Sequence, residues 1–284
     1  MSEARAAARP GTVDALAAEL RRARAEHATV LACGRGTRMA MGPPLTGLGR
    51  GDGRGIPAPD LVLTTTALDR IVAYEPADLM VTVEAGCDRA VLESALAERG
   101  QCLPLQGVMG MSSGTIGGLL AAAPEGALAL AHGGPRDRVT GLRVALADGS
   151  VVKGGGRVVK NVAGLPIHRL MLGSFGTLGV IVEASFKVHP KPEAEGTALV
   201  AFSTLSAAFE AARLVLSSGM EPVFVNVLAG RWETMVLVGF DGSAARVSAH
   251  LRSLVDLVRP SRPESLRVVE GAEQCALRDR KSVV

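Results

Sequence analysis

The chain has 284 residues, of which 48% are hydrophobic and 21% are charged, a balance that supplies a sizeable core and excludes a disordered chain. The net charge of +3 is small for this length and aromatic residues make up only 3%, so neither a basic nucleic-acid surface nor a stacking platform for single strands is expected. The 34 glycines follow no fixed period, which excludes collagen and simple solenoids. They cluster instead, and each cluster predicts a loop whose backbone has a specific task.

The cysteine pattern excludes the usual metal sites. Cys33, Cys87, Cys102 and Cys275 form no CxxC pair and no cluster with histidine at metal-ligand spacing, so we expect no metal or iron–sulfur cluster and interpret the cysteines as small core residues. The N-terminus has no apolar signal segment, and no apolar run is long enough to span a membrane. We therefore expect a cytoplasmic protein.

Helices and short strands alternate along the first part of the chain. Thr12 and Asp88 are placed to cap helices whose apolar residues recur at helical spacing. The sequence from 139 to 153 predicts a hairpin that turns at Asp148-Gly149, followed by a glycine loop over 154–156. Further short strands are predicted over 29–33, 61–65, 69–74, 79–84 and 157–162.

The second part of the chain has a different character, because the glycine clusters end after Pro192. Helices are predicted from Ser206 through Phe209, Ala212 and Leu216, and from Ser243. With strands over 197–202, 223–228, 234–240 and 265–270, the order is β-α-β-β-α-β, which is ferredoxin-like. The proline-bracketed segment 188–192 predicts the boundary between a domain of residues 1–192 and a domain of residues 193–284.

Three glycines at even spacing, Gly173, Gly176 and Gly179, precede a strand that runs from Val180 to Val188. Strict alternation predicts one apolar face and one mixed face that includes Ile181, Glu183 and Ser185. A glycine-loosened backbone that leads directly into a strand indicates either a tight turn or a main chain that passes close to a flat or bulky group.

Two earlier glycine clusters are candidate ligand-binding loops. Gly34-Arg35-Gly36-Thr37 follows a strand and can cradle a phosphate with its N–H groups, although it lacks the GxGxxG and GK[ST] patterns. The cluster QGVMGMSSGTIGG contains GxSxG, which would make Ser112 the nucleophile of a serine hydrolase. We interpret Gly114–Gly118 as a turn, and a turn does not supply the helix that a nucleophile elbow needs. The alternative is a second backbone surface that approaches a ligand closely.

Four features in order carry a family resemblance: the strand with its GRGT loop, QGVMGMSSGTIGG, GPRDRVTGLRVALADGSVV, and KNVAGLPIHRLMLGSFGTLGVIVEASFKVHPKP. Together they resemble the FAD-binding domain of the vanillyl-alcohol oxidase (PCMH-type) flavoproteins, and among these the FAD-binding subunits of bacterial glycolate oxidases. The resemblance covers most of residues 12–192. It implies an α+β fold in which FAD lies between two α+β subdomains, followed here by the ferredoxin-like cap domain.

The resemblance also implies which residues hold the cofactor. The implied FAD contacts are Gly34, Arg35, Gly36, Thr37, Arg38, Gly107, Gly114, Thr115, Ile116, Gly117, Gly118, Arg136, Asp137, Gly179, Val180 and Ile181. Lys160 and Asn161 are implied near the substrate, where Lys160 can offer a positive charge to a carboxylate or to reduced flavin. Because the loop from Gly34 to Arg38 contains no histidine, non-covalent FAD is expected.

This chain departs from the family pattern in two places. Gly164-Leu165-Pro166 stands where relatives often have Gly-Tyr-Asp, which removes a hydroxyl and a carboxylate. The chain ends at LRDRKSVV, whereas relatives continue beyond the cap domain, so we expect either a missing C-terminal segment or an accessory flavin subunit. No catalytic residue is assigned, since the five histidines (His27, His132, His168, His189 and His250) are interpreted as surface or structural, with His27 and His250 at the surface.

The resemblance implies an FAD-binding subunit of a glycolate or other 2-hydroxy acid oxidase or dehydrogenase, in which the flavin accepts a hydride. It further implies a second flavoprotein subunit and an iron–sulfur subunit as partners, through which the protein would attach peripherally to the inner membrane. Two alternatives remain: a catalytically silent FAD-binding scaffold subunit, and a serine hydrolase that uses Ser112.

Overall fold

The computed structural model describes residues 6–41, 58–105, 113–156, 166–230 and 234–270. The chain divides into two compact units. The first unit comprises residues 1–103, 113–124 and 135–189, and the second comprises residues 104–112, 125–134 and 190–284. The division into domains 1–192 and 193–284 stays a proposal.

In chain order, the helices are α1 (Val13–Ala25), α2 (Arg89–Ala97), α3 (Ile116–Ala122), α4 (Ala129–His132), α5 (Pro135–Arg138), α6 (Ile167–Met171), α7 (Leu205–Ser217) and α8 (Ala244–Val258). The strands are β1 (Ala6–Ala8), β2 (Val30–Cys33), β3 (Leu61–Thr64), β4 (Ile71–Glu75), β5 (Met80–Glu84), β6 (Gln101–Cys102), β7 (Val139–Ala145), β8 (Val151–Gly155), β9 (Val180–Lys187), β10 (His189–Pro190), β11 (Ala194–Phe202), β12 (Phe224–Ala229), β13 (Thr234–Gly242) and β14 (Ser265–Glu270).

Two predicted helix caps and one predicted helix start are confirmed. The Thr12 side chain accepts a hydrogen bond from the Ala15 N–H at 3.1 Å, and Asp88 accepts one from the Ala90 N–H at 2.8 Å. Ser243 caps α8 in the same way. Each cap satisfies a backbone donor that the first turn of a helix leaves open, so these starts are encoded locally.

The first unit contains a small parallel sheet in the order β1-β3-β2. α1 packs on it through Leu16 and Leu20, which share a core cluster with Leu63 and Leu68 of the sheet side. The strand β2 therefore lies at an edge, and its C-terminal end leads directly into Gly34.

The second sheet of this unit is antiparallel, in the order β4-β5-β9-β7-β8. β9 lies at its centre, and Ile181 and Ser185 are buried like the apolar residues on the other face. The prediction of two unlike faces was therefore wrong for most of this strand. α3 packs on one face of β9 while Val180 and Val182 join the α1 cluster, so both faces are covered.

The predicted loop at 154–156 was also wrong in part, because β8 continues through Gly155. Gly154 pairs with Leu142 of β7, and Gly155 pairs with Gly141. A Cβ at Gly154 would lie 2.8 Å from the Cβ of Ile167. The glycine thus admits α6 against the hairpin, a tertiary requirement that local turn chemistry does not reveal.

The second unit has the predicted β-α-β-β-α-β order, with an antiparallel sheet ordered β12-β13-β11-β14. Its core joins α7 and α8 to the strands through residues such as Phe202, Val215, Val236 and Leu254. The start of α7 was predicted one residue late, because Thr204 is the cap.

α7 packs its small residues, and not its large ones, against the core. Phe209 is 57% exposed and Leu216 55% exposed, whereas Ala208, Ala211 and Val215 are buried. Small alanine side chains allow α7 to lie close to the sheet. The size of the side chains, and not their hydrophobicity, therefore determines which face of α7 is buried.

Candidate functional site

A cavity of about 400 Å³ lies within the first unit. Its walls are β2 with the loop that follows it, the N-terminal part of α3, and the segment that enters β9. Glycines come from all three walls: Gly34 and Gly36, then Gly117 and Gly118, then Gly176 and Gly179.

The loop after β2 presents open backbone donors to the cavity. Within the described part of the chain, the N–H groups of Arg35, Gly36 and Thr37 donate no hydrogen bond. Gly36 has a φ of +71°, which glycine adopts at no steric cost. Successive open N–H groups in such a loop form a concavity that binds anions.

The second wall begins with a helix, so the predicted turn at Gly114–Gly118 was wrong. Thr115 caps α3 by accepting a hydrogen bond from the Gly118 N–H at 3.2 Å. A Cβ at Gly117 would lie 2.7 Å from the Cβ of Ala85, so glycine is required where α3 approaches β5. A cap and close packing outweigh the poor helix propensity of two glycines.

Two glycines allow the first and second walls to touch. A Cβ at Gly34 would overlap the Thr115 Oγ1. A Cβ at Gly114 would lie 2.7 Å from the Thr37 Oγ1 and 2.8 Å from an Arg38 guanidinium nitrogen. The loop from Gly34 to Arg38 is therefore held against the start of α3.

The third wall is tied to the end of α3. The Gly173 and Phe175 N–H groups donate to the carbonyls of Leu120 and Ala121, at 3.1 and 2.8 Å. These carbonyls lie in the last turn of the helix and have no partner within it. Phe175 has a φ of +51° and is 47% exposed, so a strained backbone holds an aromatic side chain at the cavity wall.

Positive charge lies on the same side of the cavity as the open N–H groups. Arg38 is buried and donates long hydrogen bonds to the Thr37 Oγ1 (3.4 Å) and the Ser113 carbonyl (3.5 Å). Burial, and next the charge of Arg89, lower the pKa of Arg38, yet an arginine stays protonated at neutral pH. Arg35 forms an ion pair with Asp88 at the rim. A buried cation beside open N–H groups favours a bound anion.

The structure brings most of the predicted cofactor residues together. Those that line the cavity are Gly34, Arg35, Gly36, Thr37, Arg38, Thr115, Gly117, Gly118, Gly179, Val180 and Ile181. Ile116 is buried in the core, and Gly114 packs against Thr37. Arg136 and Asp137 are exposed on α5 and do not line the cavity. Gly107, Ser112, Lys160 and Asn161 lie outside the described residues.

Several cavity residues were not predicted. They are Thr29, Val30, Leu31, Ala32, Cys33, Met39, Pro59, Thr65, Ala121, Ala122, Phe175, Gly176 and Thr177. Gly176 belongs to the evenly spaced glycines and could have been included on that signal. The residues of β2 and α3 carry no local signal, because only the fold places them beside the loop.

No histidine lines the cavity within the described residues. His27 is exposed, but the His250 ring is half-buried 5.0 Å from the Phe240 ring, so its predicted surface position was wrong. His132 lies 3.4 Å from Asp241, and His189 contacts Arg138. Burial, and next Arg169, lower the pKa of His168.

Cys33 and Cys87 are free thiols. Burial raises the pKa of the Cys33 thiol at the cavity and, with nearby carboxylates, that of Cys87 to about 11, so neither is a ready nucleophile. Across the described ranges, no group of three or more His, Cys, Asp or Glu side chains could hold a metal ion. No helix among them is long and apolar enough to cross a membrane.

Comparison with known proteins shows which protein family the chain belongs to. A family model described as an FAD binding domain matches residues 4–155. The chain belongs to this family, which is of the PCMH type, and its cofactor is FAD.

Several characterised proteins are similar to this chain in sequence. Glycolate oxidase subunit GlcE of Escherichia coli (strain K12) is 40% identical over 124 residues, which are 44% of this chain and 35% of that protein. Glycolate oxidase subunit GlcD of Bacillus subtilis (strain 168) is 33% identical over 168 residues, 59% of this chain and 36% of that protein. A mitochondrial D-lactate dehydrogenase [cytochrome] of Arabidopsis thaliana is 34% identical over 172 residues, 61% of this chain and 30% of that protein. The matches thus span about a third of each relative.

A solved structure of alkyldihydroxyacetonephosphate synthase shares the fold, with a TM-score of 0.75 at 18% identity. The match covers 96% of this chain and 57% of that one. At this identity the likeness shows the fold alone.

The cavity fits FAD by its own chemistry. Open N–H groups and buried Arg38 suit a diphosphate, which carries negative charge and needs several donors. The remaining walls are apolar, with Val30, Ala121 and Val180 among them, and suit flat rings. The glycines keep these walls free of side chains that would fill the space.

Proposed function

We propose that the chain is the FAD-binding part of an oxidoreductase that oxidises the CH–OH group of a 2-hydroxy acid, glycolate or a close analogue. The observation that carries the proposal is the cavity with its open N–H groups and buried arginine, in a chain whose relatives are named glycolate oxidase subunits and D-lactate dehydrogenase. When bound, FAD supplies the acceptor for the hydride.

The chain's own residues then have separable tasks. The N–H groups of Arg35, Gly36 and Thr37 bind the diphosphate, and Arg38 supplies a charge that no pH change near neutrality removes. The ties of Gly173 and Phe175 to α3 fix the third wall. No histidine follows Gly34 within the loop, so binding is non-covalent.

We further propose a subunit role. The names of two relatives contain the word subunit, which supports a complex of several subunits. The partners in this proposal are a second flavoprotein subunit and an iron–sulfur subunit that takes the electrons. In that arrangement the protein is cytoplasmic and reaches the inner membrane through its partners. Lys160 and Asn161 remain the proposed substrate contacts.

Anaerobic reduction tests the proposal. The FAD-loaded chain is mixed without oxygen with glycolate, D-lactate and other 2-hydroxy acids, alone and with the partner subunits, and the flavin absorption band is followed. Bleaching by the chain alone supports a complete site, and bleaching only with partners supports the subunit role. No bleaching under either condition would contradict the proposal and favour the silent scaffold.

Loss of the buried cation tests the placement of the diphosphate. Arg38→Met should weaken FAD binding at least tenfold, about the value of one charge-assisted hydrogen bond. Arg252→Met, an exposed change on α8, is the control. The dissociation constants for FAD are measured by calorimetry. Equal values for both variants and the wild type would show that Arg38 does not contribute to FAD binding.

A further inference from the structure

One flank of α7, in the second unit, carries large apolar side chains that are exposed. Leu205 is 44% exposed, Phe209 57% and Leu216 55%. These residues follow one face of the helix, and the buried Ala212 lies between Phe209 and Leu216 on the same face. We call Leu205, Phe209, Ala212 and Leu216 the α7 stripe. A row of exposed apolar side chains of this size marks an interaction surface, whereas single ones do not.

The α7 stripe lies at the edge of the sheet. α7 packs on β12 and β13, whereas α8 packs on β11 and β13. With about 3.6 residues per turn, the stripe lies a quarter-turn from the buried face formed by Ala208, Ala211 and Val215. Ala207 lies a quarter-turn to the other side and packs against the core that α7 shares with α8. The stripe is therefore on the side away from α8, above the edge strand β12.

β12 lacks the features that keep a free edge strand from pairing. It is the end strand in the order β12-β13-β11-β14, and no other strand in the described part of the chain pairs with its outer side. Its sequence FVNVLA contains no charged residue and no proline, whereas β14 at the opposite edge carries Arg267 and Glu270. Charges and prolines are common means by which proteins protect exposed edges. The edge of β12 is therefore suited to pair with a further strand.

We propose that a second copy of this chain binds here, with β12 antiparallel to β12 of the second copy and α7 antiparallel to its α7 across one two-fold axis. The spacings agree with this arrangement. Because α7 lies over β12 and β13, its axis is about one strand spacing, or 4.8 Å, from the two-fold axis. The two helices would then be about 10 Å apart, which is a distance at which helices pack.

The α7 stripe is complementary to itself in this arrangement. An antiparallel pair that places Leu205 opposite Leu216 of the second copy also places Phe209 opposite Ala212 of the second copy, and the two-fold axis repeats both contacts. The small Ala212 leaves room for the ring at that point. The alternation of four, three and four residues along the stripe is the spacing by which two helices pack side by side.

The solvent side of the stripe carries opposite charges. Glu210 and Arg213 are both exposed there, about one turn apart. In the antiparallel pair, Arg213 lies within about 3 Å, along the helix axis, of Glu210 of the second copy. The two-fold axis repeats this approach, so the dimer gains two pairs of opposite charges. These pairs, together with the match of Phe209 to Ala212, favour a second copy over an unrelated partner.

Sedimentation velocity of the wild type and of Phe209→Lys is the first test. We expect the wild type to form dimers at micromolar concentration. The dissociation constant of the Phe209→Lys dimer should be at least about a hundredfold higher, because each dimer loses two buried rings and gains two buried charges. Val91→Lys is the matched control, since Val91 is 56% exposed on α2 of the first unit. Circular dichroism shows whether both variants are folded.

A double variant, Leu205→Cys with Leu216→Cys, tests the register of the two helices. Within one chain these positions are about 16 Å apart along α7, too far for a disulfide. In the dimer each lies opposite the other in the second copy, so mild oxidation should convert the double variant to a covalent dimer. Neither single variant should do so, because identical positions are about 16 Å apart across the two-fold axis. Wild-type protein oxidised in parallel accounts for the native cysteines.

A wild type that sediments as a monomer overturns the inference and leaves the α7 stripe to a different partner protein. A Phe209→Lys dimer as stable as the wild-type dimer overturns it as well, as do single cysteine variants that cross-link as readily as the double variant. The proposed function is tested separately, because the α7 stripe does not line the cavity and Phe209→Lys should bind FAD as tightly as the wild type.

Discussion

At the residue scale, Gly34 has no room for a side chain, because a Cβ there would overlap the Thr115 hydroxyl. That hydroxyl caps α3 by accepting the Gly118 N–H. Gly34 therefore lets the anion-binding loop and the helix cap occupy adjacent space. Its φ is not in the left-handed region, so the constraint is contact and not conformation.

Gly34→Ala should push Thr115 away from its cap and move the loop. We expect the dissociation constant for FAD to rise at least tenfold and α3 to lose about 1 kcal/mol of capping free energy. Gly11→Ala is the control, since a Cβ at Gly11 meets nothing within 4 Å. Unchanged FAD binding in Gly34→Ala would show that the contact does not shape the site.

The sequence correctly predicted the site residues whose role follows from their immediate sequence neighbours. The open N–H groups of Arg35, Gly36 and Thr37 follow from glycines after a strand, and this loop does line the cavity. Phe175 and the residues of β2 gave no signal, because only the fold places them at the cavity. His250 was misplaced since its contact with Phe240 comes from the packing of α8 on the sheet.

At the element scale, the antiparallel sheet carries a row of four charges in which two adjacent glutamates on its central strands are flanked by two arginines. Glu84 of β5 lies opposite Glu183 of β9 in the register, and like charges at such positions repel. Arg70 donates to both oxygens of Glu84 at 2.7 and 3.1 Å, and Arg143 donates to Glu183 at 3.2 Å. The two arginines compensate the charges of the two glutamates and so reduce the repulsion between β5 and β9.

The Glu84 carboxylate should make stability depend on pH. Burial alone would raise its pKa, but hydrogen bonds from the Arg70 side chain and N–H, with the charges of Arg70 and Arg143, lower the pKa below its usual value. A lowered folded-state pKa stabilises the protein above the unfolded pKa of about 4.3, and this contribution is lost as the pH falls through the folded value.

Glu84→Gln should therefore lower the free energy of unfolding by about 1–2 kcal/mol at pH 7, with the value limited because Arg70 is exposed to solvent. The difference from wild type should shrink as the pH falls below about 4. Glu19→Gln, which removes a surface ion pair on α1, should cost under about 0.5 kcal/mol. Urea unfolding measures both, and a Glu84 effect that is the same at pH 3 and pH 7 would contradict the assignment.

Helices and strands were predicted well where caps and residue spacing in the local sequence define them. They were predicted poorly where contacts with the rest of the fold define them. α1, α2 and α8 follow from caps and helical spacing. α3 was missed because two glycines suggested a turn, although Gly117 is what admits the helix against Ala85. α7 turned its alanines inward for the same steric reason.

The cap of α3 offers a test at this scale. Thr115→Val keeps the shape but removes the acceptor for the Gly118 N–H, so unfolding should become easier by about 1 kcal/mol and FAD binding weaker. Thr115→Ser keeps the hydroxyl and should retain most of both. If valine and serine behave alike in thermal unfolding and FAD titration, the hydroxyl is not the stabilising group.

At the scale of the whole molecule, the family match covers residues 4–155, but the cavity also uses residues from Phe175 to Ile181. The site is thus assembled from chain segments more than 140 residues apart. Ligand binding to such an assembled site stabilises the folded state over the unfolded one. At a FAD concentration of 100 times the dissociation constant, the gain should be about 2.7 kcal/mol.

Thermal unfolding should show this linkage. The midpoint of the transition should rise with the logarithm of the FAD concentration, and Arg38→Met should need a higher concentration for the same rise. The match of FAD to the cavity would be contradicted if saturating FAD left the midpoint unchanged.

Hydrogen exchange at individual amides tests the central claim, that FAD occupies this cavity with its diphosphate on the loop after β2. Arg35, Gly36 and Thr37 have N–H groups with no acceptor within the described chain, so they should exchange rapidly in flavin-free protein. FAD should slow their exchange at least tenfold, while the exposed Gly100 stays unchanged. Equal exchange of the three amides with and without bound FAD would contradict the account.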